Sequence, residues 1–273
     1  MFYTKFMENK VYTLITGATG GLGKSFVKEC AKQGNNLILT ATNQERLDTL
    51  KQEVLEDFDI DIITKACDLS NLDSRNEFIS FIKDNFTIGT LINNAGYITE
   101  GSFKNTTTET ILKCIQVNCE GVTHLTKSIL DLKKPENKLN ILTITSMAGE
   151  YSMPYMAIYS ATKAMLNNLM ASIRIEYKKD NVRVLVVEPG AIATSQDMKE
   201  AIKSQGLKGR LSSVSPEKIA RNALKKLNTR KKIYVPGFFN KLTIFASLFL
   251  SKNIKSNIAG NMWKKSQEKR NIK

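Results

Sequence analysis

Much of what small or metal-built proteins rely on is scarce here. The 273 residues include 4 cysteines, 1 histidine, 5 prolines and 1 tryptophan. Cys30, Cys67, Cys114 and Cys119 form no CxxC pair, and His124 alone cannot complete a Cys/His zinc set. No metal site is expected, and the thiols read as buried small hydrophobes in a reducing compartment. No stretch reaches the ~18 apolar residues of a membrane span. Lys5, Glu8 and Lys10 interrupt the N-terminus, leaving no apolar region for a signal peptide. The expected location is cytoplasmic. With 42% hydrophobic and 24% charged residues, disorder and low complexity are excluded. The chain is long enough to bury a full core without disulfides or metals.

Acidic residues are scarce in one place. Residues 221–273 hold 14 Lys+Arg against a single acid, Glu268, whereas residues 1–220 hold 26 against 25. The net charge of +14 therefore belongs to the C-terminus, on a neutral body. A nucleic-acid binder would carry its basic residues with a reading motif, and none is present, so no nucleic-acid partner is expected.

Short β-branched runs alternate with longer amphipathic ones. Strands are predicted at Val11–Thr16, Asn36–Ala41, Asp61–Ala66, Thr90–Asn93, Leu139–Thr145, Val182–Glu188 and Lys232–Val235. Helical patterns lie at 22–33, 43–57, 71–85, 107–131, 155–179 and 215–228. This alternation predicts an α/β fold of the Rossmann type, a doubly wound parallel sheet with helices on both faces. One domain is expected over residues 1–237, followed by a basic, apolar extension over 238–273.

The first strand runs into Gly17-Ala18-Thr19-Gly20-Gly21-Leu22-Gly23, with a helix opening near Leu22. Glycines permit φ > 0 and close backbone approach to a pyrophosphate, and the helix N-terminus offers N–H groups to it. A Walker loop is excluded, because Ala18 stands where its first glycine must be. The glycines fit both Gly17-x3-Gly21-x-Gly23 and Gly17-x2-Gly20-x2-Gly23, and alone cannot choose between two nucleotide-binding families.

Tyr159 and Lys163, four apart on a predicted helix, share one face. A nearby ammonium stabilises a phenolate and so makes a phenol a usable base. Ser146 closes the strand Leu139–Thr145, at the carboxyl end where doubly wound sheets bind ligands. Its hydroxyl can hold a substrate oxygen beside the phenol.

Over residues 9–237 the sequence resembles the short-chain dehydrogenase/reductase family. The resemblance rests on Thr16-Gly17-x3-Gly21-x-Gly23, Asn93-Asn94-Ala95-Gly96, Asn118, Ser146, Tyr159-x3-Lys163 and Pro189-Gly190-x3-Thr194. It implies that Tyr159 is the acid–base residue and that Ser146 orients the reacting oxygen, both touching substrate. It further implies that Lys163 binds the nicotinamide ribose and lowers the tyrosine pKa, and that Asn118 supports a water in a proton relay. Cofactor contacts are implied for Gly17, Thr19, Gly21, Leu22, Gly23, Thr42, Asp68, Asn94, Gly96, Tyr159, Lys163, Pro189, Gly190, Ile192 and Thr194, with Asp68 at the adenine. Asn93 reads as a sheet stabiliser. Longer epimerase/dehydratase relatives share Tyr-x3-Lys, but Asn93–Gly96 and the short stretch after Gly190 favour the shorter group.

The implied activity is hydride transfer between a nicotinamide cofactor and a carbonyl or secondary alcohol. An acid after the second strand would favour NAD. Here the run is Thr40-Ala41-Thr42-Asn43, so the reading leans to NADP with NAD possible; Lys24 and Arg46 read either as partners of a 2′-phosphate or as solvated helix charges. Tyr151, Met153, Pro154 and Met156, with Ser195–Leu211, are expected to wall a pocket for a small hydrophobic substrate. Relatives pair helices such as 107–131 and 155–179 into homodimers or homotetramers, and Leu166, Leu169 and Ile173 suit either core or interface. From Phe238 to Leu250 eight of thirteen residues are large and apolar, with lysines flanking them. Such a segment packs on the body, closing the pocket or forming a subunit contact, makes a peripheral membrane contact, or meets an acidic protein partner. The competing reading is a non-catalytic binding or regulatory protein that keeps the fold.

Overall fold

The β-branched runs form strands because each is apolar on both faces, which only a sheet covered on both sides can bury. The computed structural model describes residues 10–194, 199–200, 202–203 and 206–271. Its strands are β1 (Val11–Thr16), β2 (Asn36–Thr40), β3 (Ile62–Thr64), β4 (Thr87–Asn93), β5 (Leu139–Ile144), β6 (Val182–Val187) and β7 (Ile233–Tyr234). All seven are parallel, in the order β3-β2-β1-β4-β5-β6-β7. The chain begins in the middle of the sheet and winds outward both ways. A crevice therefore opens between the carboxyl ends of β1 and β4, where the winding reverses.

The helices are α1 (Gly21–Ala31), α2 (Gln44–Leu55), α3 (Leu72–Asn85), α4 (Thr108–Ile115), α5 (Val122–Leu132), α6 (Ala157–Glu176), α7 (Gly206–Ser212), α8 (Pro216–Leu227), α9 (Phe238–Ser247) and α10 (Lys252–Asn271). Asn43, Asn71, Thr107 and Ser215 cap α2, α3, α4 and α8 by accepting a backbone N–H. One face of the sheet is covered by α1, α2 and α8 through Phe26, Val27, Leu47, Ile219 and Ala223. The other is covered by α3, α5 and α6 through Phe78, Ile82, Leu125, Ile129, Leu166 and Met170. Leu169 and Ile173 also pack on this second core, so the three residues open to either role lean inward. The four cysteines are free and buried.

Two regions depart from the pattern read in the sequence. The helix expected over 107–131 is broken by a π-helical turn at Gln116–Gly121, between α4 and α5. A π turn inserts one residue without disturbing the apolar face, so periodicity does not report it. The C-terminal segment folds back as α9 and α10. Gly237 makes the entry turn at φ +88°, and the buried Asn240 donates to the carbonyls of Ser212 (2.9 Å) and Pro236 (2.7 Å). Gly260 of α10 lies on Pro154, a Cβ there falling 3.0 Å from its ring. Ala259 and Trp263 join Ala148, Tyr151, Met153, Met156 and Tyr159 in a third apolar cluster. Among the described residues no helix is long and apolar enough to cross a membrane.

Candidate active site

The glycine loop is fixed by packing. Gly17 sits at φ +62°, and a Cβ there would lie 2.9 Å from the Ala95 Cα. A Cβ on Gly23 would come within 2.1 Å of the Gly17 carbonyl oxygen, and one on Gly21 within 2.8 Å of the Thr194 Cβ. Gly20 would meet only the Gly17 oxygen, at 3.4 Å. The spacing that the fold demands is therefore Gly17-x3-Gly21-x-Gly23, which resolves the ambiguity left by the sequence. Gly20, the residue before α1, has no side chain to cap it, so no side-chain oxygen takes the first N–H groups of that helix.

Thr16 and Asn94 hold this loop to β4. The Asn94 and Ala95 N–H groups each donate to the Thr16 hydroxyl (both 3.0 Å), and Asn94 Nδ2 donates to the carbonyls of Thr16 (2.9 Å) and Gly17 (3.1 Å). Asn93 turns the other way, donating to the hydroxyls of Thr126 (2.9 Å) and Thr143 (3.3 Å), the sheet-stabilising role read from the sequence.

A cavity of about 870 Å³ runs from this loop along the ends of β2, β4, β5 and β6. Each residue expected at the cofactor lines it, from Gly17 and Thr19 through Thr42, Asp68, Asn94 and Gly96 to Ile192 and Thr194. Burial pulls the Asp68 carboxyl up, but hydrogen bonds from the Ser70 hydroxyl (2.6 Å) and N–H (2.8 Å) outweigh it and hold it below its ordinary value. Lys24 and Arg46 are not in the wall. Lys24 pairs with Glu53 at 3.5 Å, and Arg46 offers its backbone N–H to the Asn43 cap. Thr40 at the end of β2, with Ala41 and Thr42 just past it, lines the cavity instead.

At the far end, Ser146 follows β5, and its oxygen accepts from the Ala148 N–H at 3.1 Å. Tyr159 and Lys163 stand one turn apart on α6. The Lys163 ammonium donates to the Ile144 carbonyl (3.0 Å) and lies 5.7 Å from the Tyr159 ring centroid. Burial pushes the Tyr159 phenol up to about 12, opposed by a hydrogen bond from Ser146. Burial also pulls Lys163 down to about 8. In the protein alone, loss of solvent is the dominant influence on this phenol.

Asn118 stands in the π turn, fully buried and off the cavity wall. Its Oδ1 accepts from the Tyr97 N–H (2.8 Å), and its Nδ2 donates to the Tyr97 carbonyl (2.9 Å) and the Thr162 hydroxyl (3.1 Å). The side chain thereby ties the loop after β4 to α6, directly behind Gly96 and Lys163.

Tyr151, Met153 and Met156 line the cavity as expected, while Pro154 lies beneath α10. Of the expected lid Ser195–Leu211, Ile202 lines the cavity, as does Ser212 just past its end; residues 195–198, 201 and 204–205 lie outside the described residues. The sequence reading missed Tyr97, Ile98 and Lys113 on one side and Phe239, Thr243, Ile258, Met262 and Trp263 on the other. The second set carries a signal, the apolar density after Gly237, which can be read as lid or as surface.

A family model described as short chain dehydrogenase matches residues 11–205. The chain belongs to that family. Among curated proteins it is 32% identical to the very-long-chain 3-oxoacyl-CoA reductase of Bos taurus over 191 residues, 67% of this chain and 60% of that protein. The chain thus matches only about three fifths of that relative's length. Among solved structures, a short-chain dehydrogenase from Sphingobium yanoikuyae in complex with NADPH is 26% identical. Its TM-score is 0.75, over 86% of this chain and 91% of that one. A structure described in terms of 7beta-hydroxysteroid dehydrogenase stereoselectivity reaches a TM-score of 0.82 over 91% and 96% at 20% identity, which shows the fold alone.

Proposed function

We propose that the protein is an NADPH-dependent oxidoreductase that reduces the ketone of a hydrophobic substrate, with a long-chain 3-oxoacyl thioester as the best-supported class. The observation that carries this reading is convergence. Ser146 from β5 and Tyr159 and Lys163 from α6 meet at one end of a cavity whose other end is the glycine loop. The residues fit a dinucleotide, because the loop is held open by glycines whose Cβ atoms would collide with backbone or with Thr194. Gly17, Gly21 and Gly23 would admit the pyrophosphate, Asp68 the adenine, and Lys163 the ribose beside the nicotinamide. Thr42 in place of an acid leaves nothing to repel a 2′-phosphate, which supports NADPH. The NADPH bound to the Sphingobium relative and the name of the Bos taurus one support cofactor and substrate class.

When bound, the cofactor supplies the hydride for the carbonyl carbon. The Ser146 hydroxyl and the Tyr159 phenol hold the carbonyl oxygen, and Tyr159 delivers the proton that completes the alcohol. The buried Lys163 stabilises the phenolate left behind, which offsets the burial that holds this phenol protonated. Asn118 positions Lys163 and the loop around Gly96 through its ties to Tyr97 and Thr162. Met153, Met156, Ile258 and Trp263 supply an apolar wall for the chain of the substrate. The same reading includes pairing of two copies through α4 and α6, where Leu112, Met165 and Ile175 stay exposed.

The test is NADPH absorbance with a panel of 3-oxoacyl thioesters of increasing chain length beside steroid ketones. Turnover is expected to rise with acyl length. Tyr159→Phe should lower it about 10²–10⁴-fold and leave NADPH affinity unchanged. Wild-type turnover in that variant, or no NADPH oxidation with any acyl substrate, overturns the proposal.

A further inference from the structure

The helix that seals the cavity is inverted relative to an ordinary surface helix. α9 turns Asn240, Thr243 and Ile244 toward the body and Phe238, Leu242 and Phe245 outward, with Leu248 and Phe249 continuing the outer row just past its end. Positions 238, 242, 245 and 249 follow the 4-3-4 spacing of one helical stripe. Phe238 is 82% exposed, Phe245 59%, Leu248 67% and Phe249 76%, and the rings of Phe245 and Phe249 stack edge-on at 5.4 Å. On α10 a second stripe, Ile254, Ile258 and Met262, is also exposed. Ile258 and Met262 line the cavity as well, so the cavity reaches the surface along this apolar stripe. A large contiguous apolar row of this kind, exposed on a monomer in water, marks a contact surface.

Charge selects the occupant. Lys241, Lys252, Lys264 and Lys265 are exposed on the same two helices, in a segment whose single acid is Glu268. A second copy meeting this face about a two-fold axis would bring the same basic rim against itself. An anionic bilayer instead presents apolar chains to the phenylalanines and negative headgroups to the lysines. The ten residues of α9 span about 15 Å, half of a ~30 Å hydrocarbon core, so this helix can lie in the interface but not cross it.

We propose that the outer face of α9, with the neighbouring stripe of α10, docks on an anionic lipid surface. The mouth of the cavity at Ile258 and Met262 is then turned toward the bilayer. A hydrophobic substrate passes between membrane and cavity there without entering bulk water. Docking stands on the surface alone, whereas the route for substrate rests on the function proposed above.

The test is flotation of the full chain with phosphatidylcholine vesicles, with and without phosphatidylserine, at low and high salt. Binding should favour the anionic vesicles by about fivefold for each lysine that reaches the surface, and salt should weaken it. Phe245→Asp combined with Phe249→Asp should abolish flotation while leaving the circular dichroism spectrum and NADPH affinity unchanged. Lys241→Glu with Lys252→Glu should remove the preference for anionic lipid. A chain that stays with the soluble fraction at low salt, or an Asp variant that floats like wild type, overturns the proposal. So does a mass that falls from dimer to monomer in the Asp variant, which would make this face a subunit contact. Because flotation does not depend on turnover, an inactive protein that floats separates failure of the catalytic reading from failure of this one.

Discussion

Gly23→Ala is the smallest change that tests how the nucleotide loop is built. The added carbon would stand 2.1 Å from the Gly17 oxygen and 2.9 Å from the Ala18 oxygen, both backbone atoms. Ordinary contact begins at 3.4 Å, so the turn must open by more than an ångström. It has little room to do so, since Gly17 is pinned at φ +62° against Ala95 and its carbonyl is held by Asn94. Overpacking of this kind costs about 1–3 kcal/mol of stability. The displaced turn is also the proposed phosphate cradle, and misplacement by an ångström costs on the order of a hundredfold where geometry matters. Gly20→Ala is the matched control: its Cβ meets the Gly17 oxygen at 3.4 Å, at an unstrained φ of −77°. Fluorescence titration with NADPH and thermal unfolding are the assays. Gly23→Ala should weaken NADPH by roughly one to two decades and lower the melting temperature, with Gly20→Ala close to wild type. If the two variants bind NADPH equally well, the loop is not held by the Gly17–Gly23 contact and the reasoning fails.

Two more outcomes follow from buried polar groups. Glu188, just after β6, is pushed up to about 8 by burial, by the charge of Glu150 and by a hydrogen bond to it. The folded protein therefore holds a proton that the unfolded chain releases near pH 4.5, so this group's contribution is complete at low pH and is lost as pH rises toward about 8. Melting temperatures across that window should fall more steeply for wild type than for Glu188→Gln, and parallel profiles would contradict the shared-proton arrangement. Asn240→Ala leaves the buried carbonyl of Pro236 and the half-buried one of Ser212 without their donor and should cost about 1–3 kcal/mol in a urea titration. An unchanged midpoint would mean that α9 is not anchored there.

The sheet was legible because its signal is local. A run such as Val182–Val187 is apolar on both sides of the strand, and no neighbour is needed to read it. The alternation with helices then points to a parallel sheet wound both ways, while its order β3-β2-β1-β4-β5-β6-β7 is read from the structure. The π turn is the opposite case. Cys114, Asn118, Val122, Leu125 and Ile129 keep facing inward through it, so the buried side carries no mark of the extra residue. What the turn does is set the depth of Asn118, and that depends on Tyr97 and Thr162, distant in sequence.

The same division runs through the site. Tyr159 and Lys163 are coupled by one turn of α6, a spacing any reader of the sequence can see. Whether Gly20 or Gly21 is the constrained glycine is decided by Thr194, more than 170 residues away, and no local pattern contains that information. Lys24 shows why a basic residue near the right strand is weak evidence: its ammonium lies beside Glu53 on α2 and not in the cavity wall. The phenol of Tyr159 makes the point energetically. Sequence proximity argues for stabilisation by Lys163, but burial acts on both groups at once, raising the phenol and lowering the amine. Burial thus favours the protonated phenol and weakens, without abolishing, the charge on Lys163. A substrate oxygen between Ser146 and Tyr159 changes that balance by giving the proton somewhere to go. The cation on Lys163 is then worth most at the moment the phenolate forms, the condition under which an electrostatic contact speeds a reaction and does not merely bind its substrate.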